Sequence, residues 1–262
     1  MGPEIVGKAI GLLMRNLGAA LRASAAPLVI FAALAWFLGR PALATLATVQ
    51  ADLGADPVAV DPAVAQALAA ASGRLILVAL LYGVAFCWIA VAWHRYVLLE
   101  EDPGLVPVPP AGALLRYALT AIAVALVVVA LAIPVSLVAG ALIGSLGPDA
   151  GFLVLSLLGF GIGVLLSYVG LRFSLALPAK AVGGDLGIGG SWTVTKRASG
   201  AILTVAILLS ALNAVFQIVA GALGTLGIAG VLLGLAVTWF STMLGVSILT
   251  ALYGHLVEGR PV

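Results

Sequence analysis

Charged side chains are scarce in this sequence. Asp, Glu, Lys and Arg make up 8% of its 262 residues, against roughly 25% in soluble domains. So few charges cannot cover a globule of this size, which excludes water as its solvent. Cysteine is nearly absent too: Cys87 stands alone, inside an apolar run where a thiol is inert, so there is no disulfide framework. Only two histidines occur, His94 and His255; both fall at expected cytoplasmic span ends and read as interfacial anchors, since there is no HExxH pattern and a metal site needs three or four converging ligands. There is no Gly-x-Ser-x-Gly nucleophile turn and no Gly-rich phosphate loop ending in Lys-Ser/Thr. The pair Glu100-Glu101 is reminiscent of intramembrane CAAX-type proteases, but Leu105 stands where those carry an arginine. The expectation is a chain with no catalytic constellation, no metal and no cofactor.

What the chain has instead is apolar length. Hydrophobic residues make up 63% of it and the mean hydropathy is +1.26. They come in unbroken runs rather than in the alternating segments of a barrel strand, so the spans are helices. The fold class expected is all-α, a polytopic transmembrane helical bundle of about six spans forming a single integral membrane domain over residues 1–262. The spans fall at about 25–38, 74–97, 117–146, 152–177, 201–223 and 231–253. Ahead of them, Lys8, Arg15 and Arg22 recur every seventh residue, while Val6, Ile10, Leu13, Leu17 and Leu21 follow helical spacing on another face. This predicts an amphipathic interfacial helix over 4–23. Ala42-Leu43-Ala44 resembles a signal-peptide cleavage site, but the stretch before it is too long and is itself a patterned helix.

Between the spans, Gly39-Arg40-Pro41 reads as the stop of span one, and residues 40–73 as the longest polar connection, with Asp61-Pro62 as N-cap and first helical position of the next helix. Four prolines between 103 and 110 make Glu100–Pro110 a loop. Pro134 is the expected kink of span three, Gly147–Gly151 a tight turn, Pro178 the end of span four, Ala179–Gly200 a basic loop, and Thr225–Gly230 an uncharged turn.

Ten of the twelve Lys and Arg fall on one side of this layout and only Arg40 and Arg74 on the other. Basic residues are retained in the cytoplasm, so both termini are expected inside. The small basic excess needs no nucleic acid. A weak threefold repeat is visible, with units ending at His94-Arg95-Tyr96, Arg172-Phe173 and Tyr253-Gly254-His255, which suggests three helical hairpins side by side.

Two patterns stand out within the spans. Small residues recur at helical spacing as Ser136, Gly140 and Gly144, as Ser156, Gly159, Gly163, Ser167 and Gly170, and as Gly230, Gly234, Thr238 and Thr242. Close helix packing is the expectation at Gly140, Gly144, Gly159, Gly163 and Gly234, a homodimer face the alternative. Ser210, Asn213 and Gln217 lie at i, i+3 and i+7 of span five, where unpaired amides are costly; they are expected to face inward, as interhelical glue or as the wall of a polar interior.

The stretch Leu171-Arg172-Phe173-Ser174-Leu175-Ala176-Leu177-Pro178-Ala179, followed by Ser191-Trp192-Thr193-Val194-Thr195-Lys196, resembles a pattern in a bacterial inner-membrane group that includes YciC-like proteins and the membrane domain of glycerophosphoryl diester phosphodiesterases. The resemblance implies a multi-pass inner-membrane protein. It brings no ligand or catalytic residues, and the phosphodiesterase activity does not carry over because the chain has no soluble catalytic barrel. The role expected is non-enzymatic, supporting envelope or lipid organisation or a partner membrane protein. The bilayer and a second copy or another membrane protein are the expected partners, and a small-molecule permease or channel component is the alternative.

Overall fold

Once in lipid, a backbone has only itself to bond with, so the apolar runs form helices that continue past residues which would end them in water. The computed structural model describes residues 1–55, 62–146, 151–223 and 226–261. The described residues are all-α, with no strand, and six helices or helix pairs are long and apolar enough to cross a membrane.

The first helix, α1 (Gly2–Arg15), is shorter than the expected 4–23 segment. It breaks at Asn16, whose side-chain amide donates to the Leu12 carbonyl at 2.8 Å and whose Oδ1 accepts the Tyr96 hydroxyl at 2.8 Å. Its inward face is also not the expected one. Gly2, Ile5, Ala9 and Leu13 are buried, whereas Ile10 and Leu21 are exposed, because α1 packs against the last two long helices of the chain as well as facing outward. The approach is close at Gly2, where a Cβ would lie 2.6 Å from Thr204 Cβ.

From Leu17 the chain runs as one helix, α2 (Leu17–Ala55), through Pro27, Gly39 and Pro41. The stop read at Gly39-Arg40-Pro41 and the polar connection from residue 40 are therefore corrected. Proline removes one backbone bond, and neighbouring helices and local side chains sustain the rest; Thr45 Oγ1 donates back to the Pro41 carbonyl at 3.0 Å. Its partner α3 (Pro62–Leu99) starts at the expected proline, while the Asp61 cap lies outside the described residues. At 39 and 38 residues both helices are nearly 60 Å long by rise per residue, twice the hydrocarbon thickness. They form the most extensively packed helix pair in the chain.

Residues 100–110 are non-helical, as expected, and fold back so that Trp88 Nε1 donates to the Pro107 carbonyl at 2.8 Å. Helix α4 (Ala111–Leu146) is continuous through Pro134, and α5 (Phe152–Ser174) follows; the turn expected at Gly147–Gly151 lies largely outside the described residues. Pro178 does not end a span but sits in the first turns of a short helix, α6 (Ala176–Ala181). The expected basic loop is largely helical: α7 (Ile188–Thr195) and a 3-10 turn (Lys196–Ala198) lead into α8 (Ser199–Leu223). The last helix, α9 (Gly227–Leu256), begins four residues before the expected Val231.

Helices α2/α3, α4/α5 and α8/α9 pair as three hairpins, α5 packing on α8 and α3 on α9. The short α6 touches α3, α4 and α9, and Leu175, Ala176, Ala179 and Ala181 on and beside it have no exposed surface. The core therefore sits at the end of the bundle that carries the basic residues, where Ile5, Leu13, Trp93, Tyr117, Leu175, Ile202, Leu244 and Leu252 meet. Away from it burial falls off: Trp36 is 63% and Phe37 77% exposed.

The small-residue stripes divide along the same line. Nearer the basic end, a Cβ at Gly163 would lie 4.0 Å from Ser210 Oγ and one at Gly170 3.8 Å from Val128 Cγ2. At Gly140, Gly144, Gly159 and Gly234 a Cβ would meet nothing within 4 Å. Close packing within the chain is thus corrected at these four, where no neighbouring side chain or backbone comes near.

Candidate functional site

The two stretches that carry the family resemblance interlock at the basic end. Arg172, near the end of α5, is 6% exposed, and its guanidinium is spread over α7. Nε donates to Thr195 Oγ1 at 3.2 Å, Nη1 to the Tyr168 hydroxyl at 3.2 Å and Nη2 to the Trp192 carbonyl at 3.0 Å. Thr195 is free to accept because its own proton points at the Ser191 and Trp192 carbonyls. The guanidinium lies 3.7 Å from the Trp192 ring centroid, Phe173 stacks on the same indole at 4.8 Å, and Ser191 Oγ donates to the Arg172 carbonyl at 2.6 Å. A buried cation persists only where donors and a π face replace its water.

A second polar knot joins α3, α4 and α9. His94, which the sequence suggests is an interfacial anchor, is fully buried. Thr250 Oγ1 donates to the Val246 carbonyl at 2.8 Å, so at its 2.8 Å contact with His94 Nδ1 the threonine oxygen is the acceptor. The ring proton is then on Nδ1, leaving Nε2 to face the Tyr117 hydroxyl at 3.4 Å. Around this knot, Arg95 makes a bidentate pair with Glu101 at 2.5 and 2.7 Å and donates to the Ala181 carbonyl at 2.9 Å. Arg260 donates to the Leu98 carbonyl at 2.9 Å, Lys8 donates to the Pro261 carbonyl, and Arg22 pairs with Asp102 at 3.4 Å. His255 Nδ1 lies 2.9 Å from the Arg260 carbonyl oxygen. These contacts tie helix ends together. No group of three or more His, Cys, Asp or Glu that could hold a metal occurs among the described residues.

The third site is the polar run of α8. Ser210 is buried and donates to Ser167 Oγ of α5 at 3.3 Å, as interhelical glue. Asn213 and Gln217 do not face inward. Both are exposed and line a groove of about 140 Å³ between α8 and α9, opposite Thr238, Ser241 and Thr242. Ser241 Oγ donates to Asn213 Oδ1 at 3.2 Å. Gln217 has no hydrogen-bond partner among the described residues. Depth follows from rise per residue: Ser241 is about 13 Å along α9 from Thr250, and Arg74 about 30 Å along α3 from His94, the residue bonded to Thr250. With the expected span 74–97 taken as the hydrocarbon core, the Asn213 and Gln217 amides fall near its middle.

Thr238 and Thr242 also edge a cavity of about 300 Å³ on the other flank of α9, walled by Leu28, Phe31, Tyr82, Phe86 and Trp239. Its lining is almost wholly apolar, and the Trp239 indole N–H is already engaged by Ser24 Oγ at 2.9 Å. Sequence reasoning missed Ser241, Ser24 and Thr250 as partners. Thr238 and Thr242 lay in a noted stripe, and Ser241 completes their helical face, so that face was legible; Ser24 and Thr250 meet partners 215 and 156 residues away. The chain matches no protein-family model, no curated protein and no solved structure.

Proposed function

We propose that the protein is a non-catalytic multi-pass protein of a bacterial inner membrane that organises lipid in the envelope or holds a partner membrane protein, with both termini in the cytoplasm. The observation that carries the reading is the filled basic end: α6 is seated among α3, α4 and α9, and Trp93, His94, Tyr117 and Leu175 occupy the space between them. A carrier needs an interior that opens to each side in turn, with its site near the midplane. Side chains locked by hydrogen bonds and aromatic contacts suit a fixed body better. The kinship with YciC-like proteins, carried by the Arg172–Trp192 clasp, belongs to the same proposal. Reporter fusions at Pro110, Val182 and the C-terminus are expected to report cytoplasm, and a signal from the far side at Val182 would sink the six-span layout.

A second reading, a small-molecule permease or channel component, draws on the polar groove between α8 and α9. Native mass spectrometry of the protein released from mild detergent separates the two. Retained phospholipid or a co-released membrane protein is the expected result. A stoichiometric water-soluble molecule, lost when Asn213 and Gln217 become leucine, would replace the scaffold with the permease.

A further inference from the structure

We propose that the face formed by α8 and α9 is the surface through which two copies of this chain pair inside the membrane, with Asn213 and Gln217 at its centre. At mid-membrane depth neither water nor headgroups reach an amide, and an acyl chain offers it no hydrogen bond. Yet Gln217 has no partner among the described residues, and Asn213 engages only its oxygen, leaving its NH2 group free. Whatever covers the groove must bring donors and acceptors together.

A second copy does so without any further residue. An amide carries both donor and acceptor, so a two-fold axis through the groove sets Gln217 against the partner's Gln217 or Asn213, and the patch is complementary to itself, as an isologous interface requires. The surroundings permit the approach. Ala220 lies on the same face of α8, and a Cβ at Gly221 or at Gly234 meets nothing within 4 Å. Small residues beside interhelical amides are how membrane helices come close.

The single cysteine makes the test direct. In a Cys87→Ala background, one cysteine is placed at Ala220 or Thr238 in the groove, or at the exposed control Leu126 on α4, and native membranes are oxidised with copper-phenanthroline. Groove cysteines should give dimers of this chain and Leu126→Cys should not. Equal cross-linking at all three, none in the groove, or adducts to a different protein there would overturn the proposal. Independently, Asn213→Leu with Gln217→Leu should melt as the parent does while its dimerisation weakens about tenfold. Unchanged dimerisation in that folded variant, or a parent protein that is monomeric at all concentrations, would equally refute it.

Discussion

The two ends of the bundle are built differently. At the basic end, Trp93 is fully buried, His94 and Arg172 are fully or nearly fully buried and hydrogen-bonded, and the seams of α3 with α6 and α9 and of α5 with α7 are closed by hydrogen bonds. At the other end Trp36, Phe37, Leu137 and Leu153 stand exposed. Water drives apolar side chains together, but lipid does not, so the opposite half gains little by closing. In this protein the fixed geometry resides where polar groups and small shapes interlock.

The sharpest way to break that contrast is a pair of tryptophan truncations. Trp93→Ala should cost about 3–5 kcal/mol, read as a large fall in melting temperature in detergent. Trp36→Ala should stay within about 0.5 kcal/mol of the parent. Trp93 adds a refinement: its Nε1 is buried with no hydrogen-bond partner among the described residues, so Trp93→Phe, which removes the orphan donor, should be much milder than alanine. Equal effects at 93 and 36 would erase the distinction between the halves.

Next in size is Arg172→Ala. Loss of three charged donors and of the stacking on Trp192 should cost about 2–3 kcal/mol, and Lys should rescue only part because an ammonium cannot spread over three acceptors. The smallest effects separate the glycines. Gly163→Leu, against Ser210 of α8, should cost about 1–3 kcal/mol, whereas Gly159→Leu, four residues earlier and facing open space, should be close to neutral. Melting curves that rank these two the other way would mean that Gly159, not Gly163, meets the neighbouring helix.

Six spans were legible because apolar runs leave a backbone in lipid no alternative to helix. Their ends were not. Gly39-Arg40-Pro41 carries every soluble signal of a helix stop, yet α2 continues to Ala55 because packing against α3 sustains it. The same bias made a loop of Ala179–Gly200, where Gly-rich sequence forms α7 under the Arg172 clasp. The clasp residues themselves were singled out, although their mutual contact was not. His94 was misread since its partners, Tyr117 and Thr250, bear no local spacing to it. Asn213 and Gln217 were recognised by type and spacing, but the rule that membrane amides face inward assumed the interior was that of one chain.

The length of α3 has a mechanical side. The helix is clamped at one end by the bonds of His94 and Arg95, and it runs unbroken to Pro62 with α2 alongside as a brace. From His94 to Pro62 is about 48 Å, so a rotation of about 5° at the clamp swings the far tip by about 4 Å. Any tilt of the hairpin about the buried imidazole would thus reach the contacts of Thr250 and Tyr117 reduced by the ratio of the arms.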